Sequence, residues 1–385
     1  MLAPIFMLAF ASQCELAEQS RPSVTLCMMV KDETKVIEET LLNLLPYIDR
    51  YDITDTGSTD GTPTLIRALM QRQNVPGTVY HTHWNGFGDH AGERGSRTVT
   101  LENCYGKADY LFVMDADDLV VGSLVWPETM DKDAYSILLQ HESGNLGSQY
   151  LRKMVLSGSI RWRSIGVLHE YTHAPLPYTS DVLKGDYYIL SRRLSKRNDD
   201  NRKYERDALV LENALISEPD NARYQFYLAQ SYRDAGQLQH SVDAYLKRAE
   251  MGGWKEEIFY SLYQVAVIKQ HLNASLSDIQ EQYLRAYTSH PRRAEPLHAL
   301  SKLFRSAQEP AVAYLYASAA VKLTPEANFL FYTEYAYNEG ALDEVCATAW
   351  YAEAFSEGLN ACEQLTPNER ILKNIKLYKE KLAKS

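Results

Sequence analysis

Two hydrophobic rhythms divide the chain. From Ser23 to about Ser191, short runs rich in β-branched and aromatic residues alternate with stretches whose apolar positions recur at helical spacing, the pattern of an α/β sheet domain. VTLCMMV, Val24 to Val30, reads as the first strand. Behind it Val36, Ile37, Leu41, Leu44 and Leu45 line one face of a helix over Glu33 to Leu45, with Pro46 placed where a helix stops. A second strand from Asp49 to Thr54 leads into TDTGSTDGTPTLIRALM, whose Gly/Ser/Thr/Asp turn feeds a helix with Pro63 near its first position. Tyr110 to Met114 reads as a central strand, and SILLQ (Ser136 to Gln140) and YLRKMVL (Tyr150 to Leu156) as later strands of the same sheet. The charged segment Arg192 to Arg206 lacks a core face and reads as a linker. A sheet domain over residues 22–195 and a helical domain over 200–385 follow from this division.

Beyond the linker only the helical period persists. Leu228, Ala229, Tyr232, Gly236, Ser241 and Tyr245 stand at the offsets where tetratricopeptide repeats place helix-packing residues and the turn between paired helices. A looser copy begins near Pro296 with Leu300, Phe304, Ala313 and Ala317, and a third includes Trp350, Phe355, Gly358 and Cys362. Three such units suffice for a short helical solenoid. With 385 residues and 45% hydrophobic content the chain can build two cores. A net charge of -10 disfavours general nucleic-acid affinity. Five cysteines without a C-x-x-C pair fit neither a disulfide framework nor a structural zinc site, so a reducing, cytoplasmic compartment is expected, with secretion or peripheral membrane association as the alternatives. The opening MLAPIFMLAFASQC lacks a basic flank and is too short to span a bilayer, so no integral membrane segment is expected.

The candidate chemistry lies at strand ends. In LFVMDADDLVVG, Leu111 to Gly122, three carboxylates follow an apolar run. Residues two apart in an extended chain project to one side, so Asp115 and Asp117 would offer hard oxygen ligands to Mn2+ or Mg2+. The bland alternative is a solvated turn. DTGSTDGT, Asp55 to Thr62, is either a plain strand-to-helix turn or a nucleotide contact, because loops beyond the carboxyl ends of strands are where open α/β sheets bind ligands. Neither the phosphate-loop signature nor the dinucleotide fingerprint is present.

Taken in order, CMMVKDE (Cys27 to Glu33), DTGSTDGT, ADYLFVMDADD (Ala108 to Asp118) and VLHEY (Val167 to Tyr171) resemble a family 2 glycosyltransferase of the GT-A fold. KYERDALVLENAL and DNARYQFYLAQSYRDAG are similar to the subgroup with a tetratricopeptide-like C-terminal region. The resemblance implies an α/β GT-A domain, the Rossmann-like mixed sheet of nucleotide-diphospho-sugar transferases, followed by an all-α tetratricopeptide-like solenoid. It also implies that Asp32, Glu33 and Asp55, with Gly57, Ser58 and Asp60 of the same loops, contact the nucleotide sugar, that Asp115 reaches the ribose or the metal, and that Asp117 holds the metal at the diphosphate. Arg97 falls where relatives carry a basic residue facing the diphosphate, with Arg94 as the alternative because GFGDHAGERGSRT departs from the family pattern. Glu170 is the expected base, His169 a metal ligand or phosphate donor, and His173 a further acceptor-side candidate. Trp162 is either a sugar platform or a packed core aromatic.

The expected activity is that of a metal-dependent inverting hexosyltransferase, moving a sugar from a UDP-sugar, UDP-glucose as the first guess, to a hydroxyl of a glycan, protein or lipid. The helical repeats would offer a protein-partner surface. The competing expectation is a non-catalytic repeat scaffold with a degenerate sugar-nucleotide-binding domain. A sugar nucleotidyltransferase, the third possibility, usually opens on a Gly-rich basic loop, and VTLCMMVKDE has no glycine.

Overall fold

The computed structural model describes residues 21–141, 149–192, 194, 202–326 and 329–384. They fall into two compact units, Met1–Gly166 with Glu170–Asn198, and Val167–His169 with Asp199–Ser385.

The first unit opens with β1 (Val24–Val30), α1 (Ile37–Leu44), β2 (Arg50–Asp55), α2 (Thr62–Arg72) and β3 (Gly77–His81). It continues through α3 (Ser96–Cys104), β4 (Tyr110–Met114), β5 (Asp118–Gly122), β6 (Ala134–His141) and β7 (Gln149–Ser157). A two-stranded ribbon of β8 (Arg163–Ile165) and β9 (Tyr171–His173) precedes β10 (Ser180–Val182) and β11 (Tyr187–Ser191). The main sheet is nine-stranded and mixed, in the order β3-β2-β1-β4-β7-β6-β11-β5, with β10 also on β6. Its first four strands are parallel, and β7 runs antiparallel to β4 and β6. Because β1 is covered on both faces, its sequence is apolar at every position but Thr25 rather than an alternation. One face packs Leu26, Met28, Phe112 and Met114 against Ile37, Leu41 and Ile66 of α1 and α2. The other packs Cys27 and Leu111 against Leu101 and Cys104 of α3, together with Trp162.

Three sequence expectations shift. The first helix starts at Ile37 rather than Glu33, because the carbonyl of Glu33 accepts from the amides of Val36 and Ile37 and closes a turn first. The expected linker from Arg192 to Arg206 is shorter: Lys203 already begins a helix, and residues 195–201 lie outside the described residues. Arg192 belongs to the sheet unit, where it binds Glu39 at 2.5 Å and donates to the carbonyl of Asp117 at 2.8 Å.

The cysteine expectation is overturned. Cys27 and Cys104 form a disulfide across β1 and α3, and Cys346 and Cys362 form another in the helical unit. Sequence separations of 77 and 16 residues carry no spacing motif, and only packing brings the Cα atoms to 6.0 and 4.9 Å. Disulfides are a feature of oxidising compartments, so cysteine usage no longer argues for a reducing one. Cys14 lies outside the described residues. Among the described residues no helix is long and apolar enough to cross a membrane.

The second unit is a succession of helices, each packed on the next: α4 (Lys203–Ser217), α5 (Ala222–Asp234), α6 (Leu238–Glu250), α7 (Lys255–His271), α8 (Leu276–Ser289), α9 (Glu295–Ser306), α10 (Pro310–Ala320), α11 (Glu339–Thr348), α12 (Phe355–Glu363) and α13 (Glu369–Leu382). The first expected repeat is α5 and α6: Ala229 and Tyr245 are fully buried, the Ser241 hydroxyl donates to the Ala229 carbonyl at 2.7 Å, and Gly236 makes the turn. The second is α9 and α10, with Leu300, Phe304, Ala313 and Ala317 buried. Between them lies a further pair, α7 and α8, that the sequence offsets do not reveal. In α12 a side chain on Gly358 would collide with the ring of Tyr378 from α13, which explains a helix-interior glycine.

Candidate active site

The parallel register brings three strand ends to one rim: Val30 of β1 lies beside Asp55 of β2, and Met28 beside Met114 of β4. The loops that follow carry nearly all the acidic candidates. After β2 the chain reverses through Gly57, whose φ of +103° is open to glycine, and the Asp55 carboxylate closes the turn by accepting from the Ser58 amide at 3.1 Å. Asp55 also meets Nδ1 of His81 at 3.1 Å.

The two neighbouring loops are laced together. The Asp32 amide donates to the Ser58 hydroxyl at 2.9 Å, and the Thr59 amide donates back to the Asp32 carboxylate at 2.7 Å. Asp60 accepts from the amides and hydroxyls of both Thr34 and Thr62. Desolvation opposes its charge, but these hydrogen bonds outweigh it and hold Asp60 well below the usual carboxylate range. Asp32, Glu33, Asp55, Gly57, Ser58 and Asp60 thus share one rim, and several of them act first as a clamp that fixes the loops.

Beyond β4 the acidic cluster is met by the chain's own cations. Arg97 of α3 and Arg152 of β7 each reach Asp115 at 2.9 Å. Arg97 also pairs through Nε with Glu170, joining the expected base to the first aspartate of the D-x-D through one guanidinium. Burial pushes the Asp115 carboxyl up, but the two arginines outweigh it and leave it firmly ionised. Arg94 pairs with Glu102 at 2.7 Å instead, so of the two candidate arginines it is Arg97 that stands at the cluster.

The remaining carboxylates are less well compensated. Desolvation, then the charges of Asp117, Asp60, Asp32 and Asp115, push Glu33 up to about 7. Asp118 is fully buried, neither of its oxygens has a well-formed hydrogen bond, and Arg152 stands 3.8 Å away. Desolvation and the neighbouring Asp115 push it up to about 8.

These observations test the expected metal. Among the described residues no three His, Cys, Asp or Glu side chains converge as a preformed site. Of the expected ligands Asp115, Asp117 and His169, the first and the last make other contacts. Asp115 is held by two arginines, and the His169 ring stacks on Tyr227 of α5 at 3.8 Å, within the helical unit. A divalent ion still suits the rim. Glu33 and Asp118, both pushed up in part by neighbouring carboxylates, mark a rim of crowded acidic groups beside the buried Asp117, a hard oxygen donor of the D-x-D.

On the side of α3 lies a cavity of about 370 Å3, lined in part by Arg97, Arg152, Lys153, Glu170, Tyr171 and Tyr178. Neither Trp162 nor His173 lines it. Trp162 is 2% exposed, donates to the Ser157 carbonyl at 2.9 Å and packs edge-on against Tyr178, so it has no free face for a sugar. His173 is exposed on β9, opposite Arg163 of the ribbon. Sequence reasoning missed Arg152, Lys153, Asp118 and Arg192 as site residues. The available signal was a basic pair inside the otherwise apolar run YLRKMVL.

Residues 25–130, which contain β1 to β5, match the sequence model of Glycosyl transferase family 2. The first unit therefore carries a family 2 glycosyltransferase domain, and a unit of helical repeats follows it. No curated protein matches the chain. Similar solved structures include MamA, 12% identical over 50% of this chain and 99% of that one with a TM-score of 0.32. YrrB, described as a TPR protein with an unusual peptide-binding site, is 12% identical over 48% and 85%, with a TM-score of 0.32. BtubC from P. vanneervenii is 14% identical over 49% and 78%, with a TM-score of 0.35. Likeness at these scores carries no weight for function, and the repeat character of the helical unit rests on its own packing.

Proposed function

We propose that the protein is an inverting glycosyltransferase that moves a hexose from a nucleotide-diphosphate donor, a UDP-sugar with UDP-glucose as the first candidate, to an acceptor hydroxyl. The observation that carries this is the Asp115–Arg97–Glu170 chain, which ties the donor rim to a carboxylate facing a cavity on the other side. The nucleotide lies along the clamped loops of Asp32, Asp55 and Asp60, with Glu33 at the same rim. Glu170 accepts the proton of the acceptor hydroxyl, whose oxygen forms the new bond to the sugar's anomeric carbon while the bond to the diphosphate breaks. Arg97 holds Glu170 in place for that transfer, and Arg97 with Arg152 fixes Asp115. Asp117 would hold a Mn2+ or Mg2+ ion, which would supply charge neutralisation of the leaving diphosphate.

A donor screen with purified protein and Mn2+ or Mg2+, reading released nucleotide, tests the proposal. Turnover of a UDP-sugar is expected in the native protein and its loss in Asp117→Ala. Glu170→Gln should keep UDP affinity and lower transfer by about 10²–10⁴-fold. A protein that neither binds nor turns over any nucleotide sugar would instead be a scaffold.

A further inference from the structure

The cavity beside Glu170 has a charge that donor chemistry does not use. Arg97 and Arg152 are committed to Asp115 and Glu170. Lys153 is not: it is half-buried, its ammonium contacts the Tyr178 hydroxyl and lies 4.2 Å from that ring's centroid, and among the described residues it pairs with no carboxylate. Of the three cations that line the cavity, Lys153 is the one without a carboxylate partner among the described residues.

Its direction is built into the strand. Residues three apart in a regular strand face opposite sides. Yet Leu156 packs with Cys27 and Trp162 on the α3 side, and Lys153 reaches Tyr178 on that same side. A register shift between β6 and β7 reconciles them: Tyr135 pairs with Val155 and Ser136 with Lys153, so Met154 is the extra residue of a bulge. Bulges beside active sites commonly re-aim a side chain. Trp162, packed edge-on against Tyr178, in turn braces the phenol that Lys153 touches. An ammonium turned inward at such a cost in local pairing, and left without an acid, is suited to an anion brought by a ligand.

Taking the glycosyltransferase reading as given, we infer that the acceptor is a monosaccharide-sized group bearing an oxyanion, a carboxylate or a phosphate, that Lys153 binds inside the Glu170 cavity. The volume of about 370 Å3 lies at the small end of ligand clefts, and Tyr171 and Tyr178 add phenol groups that can contact a sugar. Anchoring the anion at Lys153 would fix which hydroxyl faces Glu170, so acceptor choice becomes a matter of charge as well as shape.

Binding of methyl glucuronide, glucose 6-phosphate and methyl glucoside, measured by calorimetry at low ionic strength, tests this. At least one acidic probe should bind tenfold or more tighter than methyl glucoside, and the two acidic arms separate carboxylate from phosphate. Lys153→Met should abolish the discrimination and Lys153→Arg restore part of it, with UDP affinity unchanged in both as evidence of intact folding. Equal binding of all three probes, or discrimination that survives Lys153→Met, would overturn the inference. Failure of donor turnover with discrimination intact would instead strike the glycosyltransferase reading alone.

Discussion

At the residue scale, electrostatic compensation at the rim is uneven. Asp115 has two arginines, whereas Asp118 is fully buried without a well-formed hydrogen bond. Its carboxyl titrates at about 8 in the folded protein against 3.8 when exposed. The folded state therefore holds that proton more tightly, and the associated stability is complete below pH 3.8 and lost as pH rises through about 8. Glu33 acts in the same direction, from 4.5 up to about 7. Asp118→Asn removes the ionisation, so the variant should match the native protein in thermal unfolding near pH 4 and exceed it at pH 8. A native protein as stable as the variant at pH 8 would refute the account. Manganese should raise the native melting temperature more at pH 8 than at pH 5, since only ionised carboxylates attract it. The acidic run was legible in the sequence, but its partners were not. Arg97 and Arg152 lie 18 and 37 residues from Asp115 in the chain, and no linear signature announces an ion pair of that kind.

At the element scale, the strands and the first and second repeats were legible because burial imposes their periods directly. Ser241 and Ala229 occupy expected repeat offsets, and their hydrogen bond gives the pattern a physical basis. Gly358 is the sharper test. Gly358→Ala would place a methyl group against the Tyr378 ring, and about 1–3 kcal/mol of destabilisation is expected in chemical denaturation of the helical unit. Wild-type stability in that variant would show that α12 and α13 pack more loosely. The α7 and α8 pair escaped the sequence reading because these helices are stitched by polar contacts as well as apolar ones: Lys269 of α7 donates to Asp278 of α8 at 2.8 Å, and the Tyr283 hydroxyl of α8 to Gln270 of α7 at 2.9 Å. Periodicity of apolar residues does not report such contacts.

For the whole molecule, two covalent links tie together elements that the sequence keeps apart. The Cys27–Cys104 disulfide joins the central strand to the helix that carries Arg97, and Cys346–Cys362 joins α11 to α12. Loss of a native disulfide costs about 2–5 kcal/mol in small secreted domains. Reduction with dithiothreitol should accordingly lower the unfolding temperature, and Cys27→Ser should also weaken nucleotide turnover by loosening α3. Peptide mapping without reduction should recover both linked pairs. Mapping that finds all four thiols free would remove this link between α3 and β1.

The sequence alone determined the division into a sheet and a helical unit, most strands, and the gathering of acidic residues at strand ends, because each follows from local period and turn chemistry. Tertiary structure decided which cations neutralise Asp115, that Trp162 is core and His169 is stacked in the helical unit, which cysteines pair, and that a bulge turns Lys153 inward. Those outcomes depend on which distant segments are brought within a few ångströms of one another. A linear pattern does not encode that distance.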